Sequence, residues 1–385
     1  MRWQWTVLVC HDGAMDTDIL IIGGGIAGLS LAWALAPSRR VVLVEAEEEL
    51  AHHTSSRSAR QMQPNYGPPV IRELTLRSIA LVQEISASLP EPILRPRPLL
   101  TLGSHAEVAA LVAQHPALVA LDHAETLQLS PDLRPGGFTA AALDDSAMEV
   151  DVPALLEFYR SQAQAAGAVV LTAAPVTAAE ASPGSFTGSF TLMAGQHRIT
   201  ANVVVNAAGA WAEPVAAIFG AQTKNLVPYR RSVAIVSTAS PVNPAGPMVE
   251  PADESYYYRP DGGHLLISPC ESVPAEPGDA QVLDADITKL IHRIDAVTTL
   301  AITGVVRAWT GLRTEAPDGV PVAGFDAAVP NFFWLAGQGG YGIQTSAALA
   351  TLAAQLIAGT VPAKDAPWAA ALSPQRAGLQ GSGRH

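Results

Sequence analysis

The stretch DILIIGGGIAGLSLAWALA, Asp18 to Ala36, with RRVVLVEAE following at Arg39 to Glu47, decides the fold. Asp18 to Ile22 is a continuous apolar run of the kind buried on both faces of a parallel sheet, and Ile26 to Ala36 has the composition and length of a helix. Between them stands Gly23-x-Gly25-x-x-Gly28. The first glycine serves a tight turn, the second lets backbone N–H groups approach a pyrophosphate, and the third packs helix against strand, which sets the phosphates on the helix N-terminus. Val41 to Val44 reads as the second strand. It ends in Glu45, about twenty residues past the first glycine, where a carboxylate takes ribose hydroxyls and disfavours a 2′-phosphate. The unit binds a dinucleotide, FAD or NAD; the fingerprint alone does not separate the two.

Two distant segments favour FAD. Ala201 to Asn206 is a further buried strand running into Ala207, Ala208, Gly209, Ala210 and Trp211, small residues that let a ligand approach the backbone before a helix near Ala212. Near the C-terminus, FFWLAGQGGYGIQTSAALATLAAQLIAG reads as a strand, the turn Gln338 to Gly342, and an alanine-rich helix. The bare N–H groups and positive dipole end of that helix suit a flavin ring, which gains negative charge at N1 and O2 on reduction.

The 385 residues, 49% hydrophobic and 15% charged, suffice for two domains with large cores. With 23 basic against 35 acidic side chains the net charge is -12, which repels phosphate backbones and argues against a nucleic-acid partner. Cys10 and Cys270 cannot build a disulfide framework or a thiolate metal site, so a cytoplasmic location is expected, without metal, and redox chemistry falls to the cofactor. Residues 1–14 lack a secretory cleavage pattern and read as an upstream start or disordered arm. Ile19 to Ala36 is uncharged and nearly long enough for a membrane span, but its four glycines and the following proline indicate strand, turn and helix, so no transmembrane segment is expected.

GGGIAG with Glu45, HTSSRSAR at His53 to Arg60, VVVNAAGAW, AWTGLRTEAPDGVPVAG and GQGGYGIQTS together resemble the glycine oxidase and D-amino-acid dehydrogenase flavoproteins of the DAO family, most nearly the bacterial D-arginine dehydrogenase type. The resemblance runs from about Asp16 to Ser373. It implies an α/β fold with a Rossmann-like FAD-binding domain on a parallel sheet, assembled from 15–90, 143–224 and 305–385. A second, α+β substrate domain, 91–142 and 225–304, would carry a mixed, largely antiparallel sheet. Strand-like Leu99 to Leu102, Tyr229 to Val236, Tyr256 to Pro260 and His264 to Ser268, with a helical segment from Asp284 to Val297, agree with that domain. The resemblance further implies non-covalent FAD. Its contacts would be Ile26 and Ala27 in the fingerprint, Thr54, Ser55, Arg57, Ser58 and Ala59 around the diphosphate and ring edge, and Val176 on the adenine side. Ala208, Gly209, Trp211, Gly311, and the run Gly339, Gly340, Tyr341, Gly342, Ile343, Gln344 and Thr345 complete the set.

A zwitterionic amino acid needs a cation for its carboxylate, and arginine offers a planar bidentate fork. Arg313, in TGLRT, and Arg231, which opens an otherwise apolar strand, match arginines that hold the carboxylate or line the site in the family; adjacent Arg230 could take the part of Arg231. Tyr257 and Tyr66 match tyrosines that cap the substrate, Tyr66 from a proline-rich segment that suits a hinged lid or a rigid turn equally. Gly340 would offer its carbonyl to the substrate amine. The expected reaction oxidises the CH–NH2 bond of a D-amino acid to the imino acid by hydride transfer to flavin N5.

Gln61 and Leu99 stand where the D-arginine type carries a histidine and a glutamate, and with Met248 they imply a neutral, mostly apolar substrate side chain. Glu250 is the contrary sign, facing pocket or solvent. The alternatives are oxidation of glycine, sarcosine or another N-methyl amino acid, action on a modified tRNA base, which the net charge disfavours, and a non-catalytic dinucleotide-binding module. Oxygen, a quinone or a redox protein stay open as electron acceptor; with no lysine expected near the flavin, a dehydrogenase is mildly favoured.

Overall fold

Strand Met15–Ile22 divides its side chains between two cores, Ile19 and Ile21 joining one, Leu20 and Ile22 the other, because successive strand residues point to opposite faces. In the computed structural model, which describes residues 8–9, 14–181 and 188–380, this strand lies at the centre of a parallel array. Val41–Val44 and then Val169–Leu171 pair on one side, His197–Asn206 and then Phe332–Ala336 on the other, all parallel. Antiparallel strands Phe190–Ala194, Val176–Ala181 and Val322–Phe325 extend the sheet. Helices Ile26–Leu35, Val152–Ala165 and Gly342–Ala358 cover the face that holds Ile19 and Ile21.

Of the expected N-terminal arm at 1–14, Leu8–Val9 pair antiparallel with Asp16 and Met15, which differs from disorder at those two positions; the rest, except Ala14, lies outside the described residues. Among the described residues no single helix is long and apolar enough to cross a membrane.

A second sheet runs in the order Val273–Pro274, Val227–Thr238, His264–Ser268, Tyr257–Asp261, Met248–Pro251, Leu99–Gly103, Ala140–Asp144, Val119–Asp122, with Ile302–Glu315 also paired to Val227–Thr238. It is mixed: Met248–Pro251 lies parallel to Leu99–Gly103, and the other pairs are antiparallel. Alternation again sorts the residues. Leu100, Val249, Tyr258 and Ile267 pack with Ile287, Leu290 and Ile294 of helix Asp284–Val297, while Leu99, Val233, Met248, Tyr257 and Leu266 form the opposite face. That opposite face looks back toward the first sheet.

A charge cluster ties the two halves together. Glu149 accepts hydrogen bonds from Arg97 at 2.6 Å and from the fully buried Arg259 at 2.8 Å, Arg259 also donates to the carbonyl of Ala59 at 2.9 Å, and Arg60 pairs with Asp261. Burial pushes the Glu149 carboxyl up, but the two guanidiniums outweigh it and hold it below its ordinary range. Removing the carboxylate would leave Arg259 buried with Asp261, at 3.8 Å, as its remaining counter-charge. Glu149→Ala is therefore expected to cost about 3–5 kcal/mol in denaturant unfolding at neutral pH. Because the folded-state value is lowered, this contribution is present above the ordinary carboxylate range and is lost as pH falls through the lowered value. The gap between wild type and Glu149→Ala should therefore narrow in acid, and a gap independent of pH would refute the assignment.

Candidate active site

Two confluent cavities lie where the parallel strands end. The larger, about 400 Å³, is lined by Gly23, Gly25, Ile26, Ala27, Glu45, Val176, Ala208, Gly209 and Trp211. Gly23 turns the chain with φ +111°, a conformation closed to most L side chains, and a Cβ there would collide with the carbonyl of Ala207. A Cβ on Gly25 would come within 3.0 Å of Ser55 Oγ, inside the cradle. Gly28 is not on the cavity wall. Its Cβ would strike the Gly23 carbonyl, so it serves the packing of helix on turn.

The Glu45 carboxylate accepts from the backbone N–H of Gly24 at 2.6 Å and of Glu47 at 3.0 Å, and a carboxylate so held keeps lone pairs for hydroxyl donors. Ser55 Oγ receives the Ile26 N–H at 2.9 Å. An elongated cavity with a bare glycine floor, a helix N-terminus and a terminal acid fits the diphosphate and ribose of FAD. His52 and His53 also line it, His53 with its ring 4.6 Å from that of Trp211. His53 opens the segment HTSSRSAR, and His52 before it was unmarked in the sequence.

The second cavity, about 230 Å³, shares Ile26, Thr54, Ser55, Gly339 and Gly342 with the first. Arg57, Ser58, Ala59, Gln61, Tyr66, Arg231, Met248, Glu250, Tyr257, Gly311, Arg313, Gly340, Ile343 and Gln344 line it, as do Gln63, Val233, Glu254 and Cys270, which sequence reading passed over. The loop Thr54–Arg57 is strapped to strand Ile302–Glu315. Thr54 Oγ1 donates to the Leu312 carbonyl at 2.7 Å and Arg57 to that of Thr310 at 2.7 Å.

The same strand sets the arginines. Arg231 lies opposite Gly311 in the antiparallel register, so Arg313, two residues on, shares its face on a diagonal. Arg230 points the other way, toward Asp286 at 4.0 Å, which gives the cleft to Arg231. The bare α-carbon of Gly340 lies against the Arg313 guanidinium: a Cβ would come 2.7 Å from Nη1. Arg231 Nε, the Tyr257 hydroxyl and Gln61 Oε1 are buried without a hydrogen-bond partner among the described residues, the condition of groups that await a polar ligand. Burial raises the Tyr257 phenol and the Cys270 thiol above their ordinary values, so both stay protonated near neutrality.

Three expected residues are placed differently. Leu99 does not line the cleft: it faces the cleft side one strand beyond Met248, packed with Ala147 and Met248 in an apolar cluster. Tyr341 and Thr345 line neither cavity. The Tyr341 ring instead lies 5.5 Å from that of Tyr66, and Thr345 is buried with its hydroxyl donating to the Tyr341 carbonyl at 2.8 Å. Gly28 also lies off both cavity walls, in the packing role its place in the fingerprint predicts. Glu250, whose facing the sequence left open, lines the cleft. None of Lys224, Lys289 and Lys364 lines either cavity.

The chain is 26% identical to human mitochondrial dimethylglycine dehydrogenase over 368 residues, 85% of this chain and 40% of the relative, so it spans about two fifths of the length of that protein. It is 24% identical to the glycine oxidase of Geobacillus kaustophilus over 358 residues, 88% of this chain and 92% of the relative. The crystal structure of that oxidase superposes with a TM-score of 0.78, covering 94% of this chain and 99% of the other. L-Proline dehydrogenase from P. horikoshii reaches a TM-score of 0.80 at 18% identity, covering 93% and 97%. A model of the family described as DAO, FAD dependent oxidoreductase, matches residues 18–356. That span includes every segment that builds the two cavities, and the chain belongs to this family of FAD-dependent oxidoreductases.

Proposed function

We propose that the chain oxidises the CH–NH2 bond of a D-amino acid to the imino acid. The observation that carries this reading is the Arg313 guanidinium held against the bare face of Gly340, in a cleft that opens from the dinucleotide cavity. FAD, when bound, supplies the hydride acceptor. Arg313, with Arg231 on the diagonal, takes the substrate carboxylate in a bidentate fork. Gly340 offers its carbonyl to the amine, and Tyr66 and Tyr257 close the cleft against water. Hydride transfer asks for orientation more than for a protein base, since the lone pair of the neutral amine drives the departure of the α-hydrogen. The imino acid then hydrolyses in solution. The D-configuration rests on the resemblance of TGLRT and GQGGYG to the D-amino-acid dehydrogenases. The match to dimethylglycine dehydrogenase favours N-methyl amino acids as a second reading.

Anaerobic mixing of the FAD-loaded chain with D- and L-amino acids, sarcosine and dimethylglycine separates the two. Bleaching of the flavin by D-amino acids is expected; bleaching by N-methyl amino acids alone would replace the first reading with the second. Gly25→Trp and Glu45→Arg are expected to yield colourless protein, one by filling the pyrophosphate approach and the other by exchanging an acceptor for a donor. Full flavin occupancy in both would remove the basis for the larger cavity. Arg313→Lys should keep flavin and lose roughly 100-fold or more in kcat/KM, since a point charge replaces a planar fork where misplacement defeats the transfer. Gly340→Ala should raise KM at unchanged flavin content by displacing the guanidinium. An unaltered KM would detach Arg313 from the substrate.

A further inference from the structure

We propose that the cleft is built for an amino acid whose side chain ends in a cation, an ammonium or a guanidinium, and that Glu250 receives it, with Glu254 beside it at the rim. The inference rests on the amino-acid reading above and reverses the apolar preference drawn from Leu99.

Strand alternation sets Glu250 on the same face as Met248, opposite to Val249, which is buried toward helix Asp284–Val297. In the parallel register Glu250 stands beside Thr101, whose hydroxyl donates to Glu250 Oε1 at 3.3 Å. Among the described residues no arginine, lysine or histidine lies within ion-pairing distance of Glu250 (4.0 Å). Other carboxylates at the junction of the two halves are treated differently. Glu149 has Arg97 and Arg259, and Asp261 has Arg60. A carboxyl set into a cleft wall with a hydroxyl and no cation beside it is poorly placed to hold its charge, which is the condition of a group whose counter-ion arrives with the ligand.

Both signs of charge share the cleft: Arg313 and Arg231 act on Tyr257, and Glu254, Arg313 and Glu250 all act on Tyr66. Cys270 lies within reach of both arginines and of Glu250. Met248 and Val233 provide apolar wall in the same cleft, as the methylene stem of a lysine or arginine side chain requires. Burial first, and Glu254 second, push the Glu250 carboxyl up to about 8. A cation brought alongside would favour its ionised form.

The test compares D-lysine with D-norleucine, which carries the same stem without the charge, and D-arginine with D-leucine, using the FAD-loaded full chain. In wild type, kcat/KM for D-lysine should exceed that for D-norleucine at least about tenfold, through KM, as expected of a charge-assisted hydrogen bond. In the near-isosteric Glu250→Gln variant, with flavin absorbance and melting temperature as checks on folding, that ratio should fall toward one. A wild-type preference for D-norleucine overturns the inference without any variant. An equal loss on both substrates in Glu250→Gln also overturns it, since the carboxyl would then serve the α-amine common to both. If no amino acid bleaches the flavin, the amino-acid reading itself fails, an outcome distinct from bleaching by apolar substrates alone.

Discussion

The pairing of strands Val227–Thr238 and Ile302–Glu315 is the constraint on which both cavities depend. Its register runs from Val227 opposite Glu315 to Thr238 opposite Ile302. Both strands belong to the second sheet. The Glu315 end is fastened to the loop Thr54–Arg57 and passes through the Glu315–Gln338 bridge to the glycine turn before helix Gly342–Ala358. Because side chains alternate, a slip of one residue would turn Arg231 or Arg313 away from the cleft. The placement of the carboxylate clamp is thus a consequence of strand register.

Buried charges hold the frame around that pairing. Lys224 and Asp326 meet at 2.9 Å, with the Trp334 indole N–H donating to the same carboxylate at 3.0 Å. Glu149, on the short strand Met148–Val150 that pairs with Gln61–Met62 and Leu94–Pro96, does the same work with Arg97 and Arg259. Such a pair contributes little net stability against an apolar replacement, because both partners give up hydration; it penalises any docking that would strand one charge. Arg259 extends this to the cleft wall, since its Nε holds the Ala59 carbonyl. The loop that lines both cavities is thereby positioned from each side, by Thr310 and Leu312 on one strand and by Arg259 on another.

Absent side chains shape the cleft as much as present ones. Gly311, opposite Arg231, lets the loop residues Thr54 and Arg57 pack close to the strand, and Gly340 lets the Arg313 guanidinium lie against backbone. A planar fork can then present its edge to a carboxylate while its flank is supported. Two arginines and two glutamates, Arg231, Arg313, Glu250 and Glu254, line the same cleft with the apolar Met248 and Val233.

The sequence by itself determined the parallel sheet and its dinucleotide cradle. Asp18 to Glu45 is a local unit in which apolar run, glycine spacing and terminal acid each have a physical reason that needs no distant partner. Helix Asp284–Val297 and strand His264–Ser268 were legible for the same reason, as periodicity within one segment. The site residues Arg313 and Gly340 were legible through family motifs. Tertiary structure alone decided between Arg230 and Arg231, removed Leu99 from the cleft wall and turned Glu250 into it, and brought His52, His53, Gln63 and Cys270 to the cavities. Each of those outcomes depends on which face of a strand meets which neighbour, a matter of register between segments far apart in the chain, and no local pattern of residues encodes it.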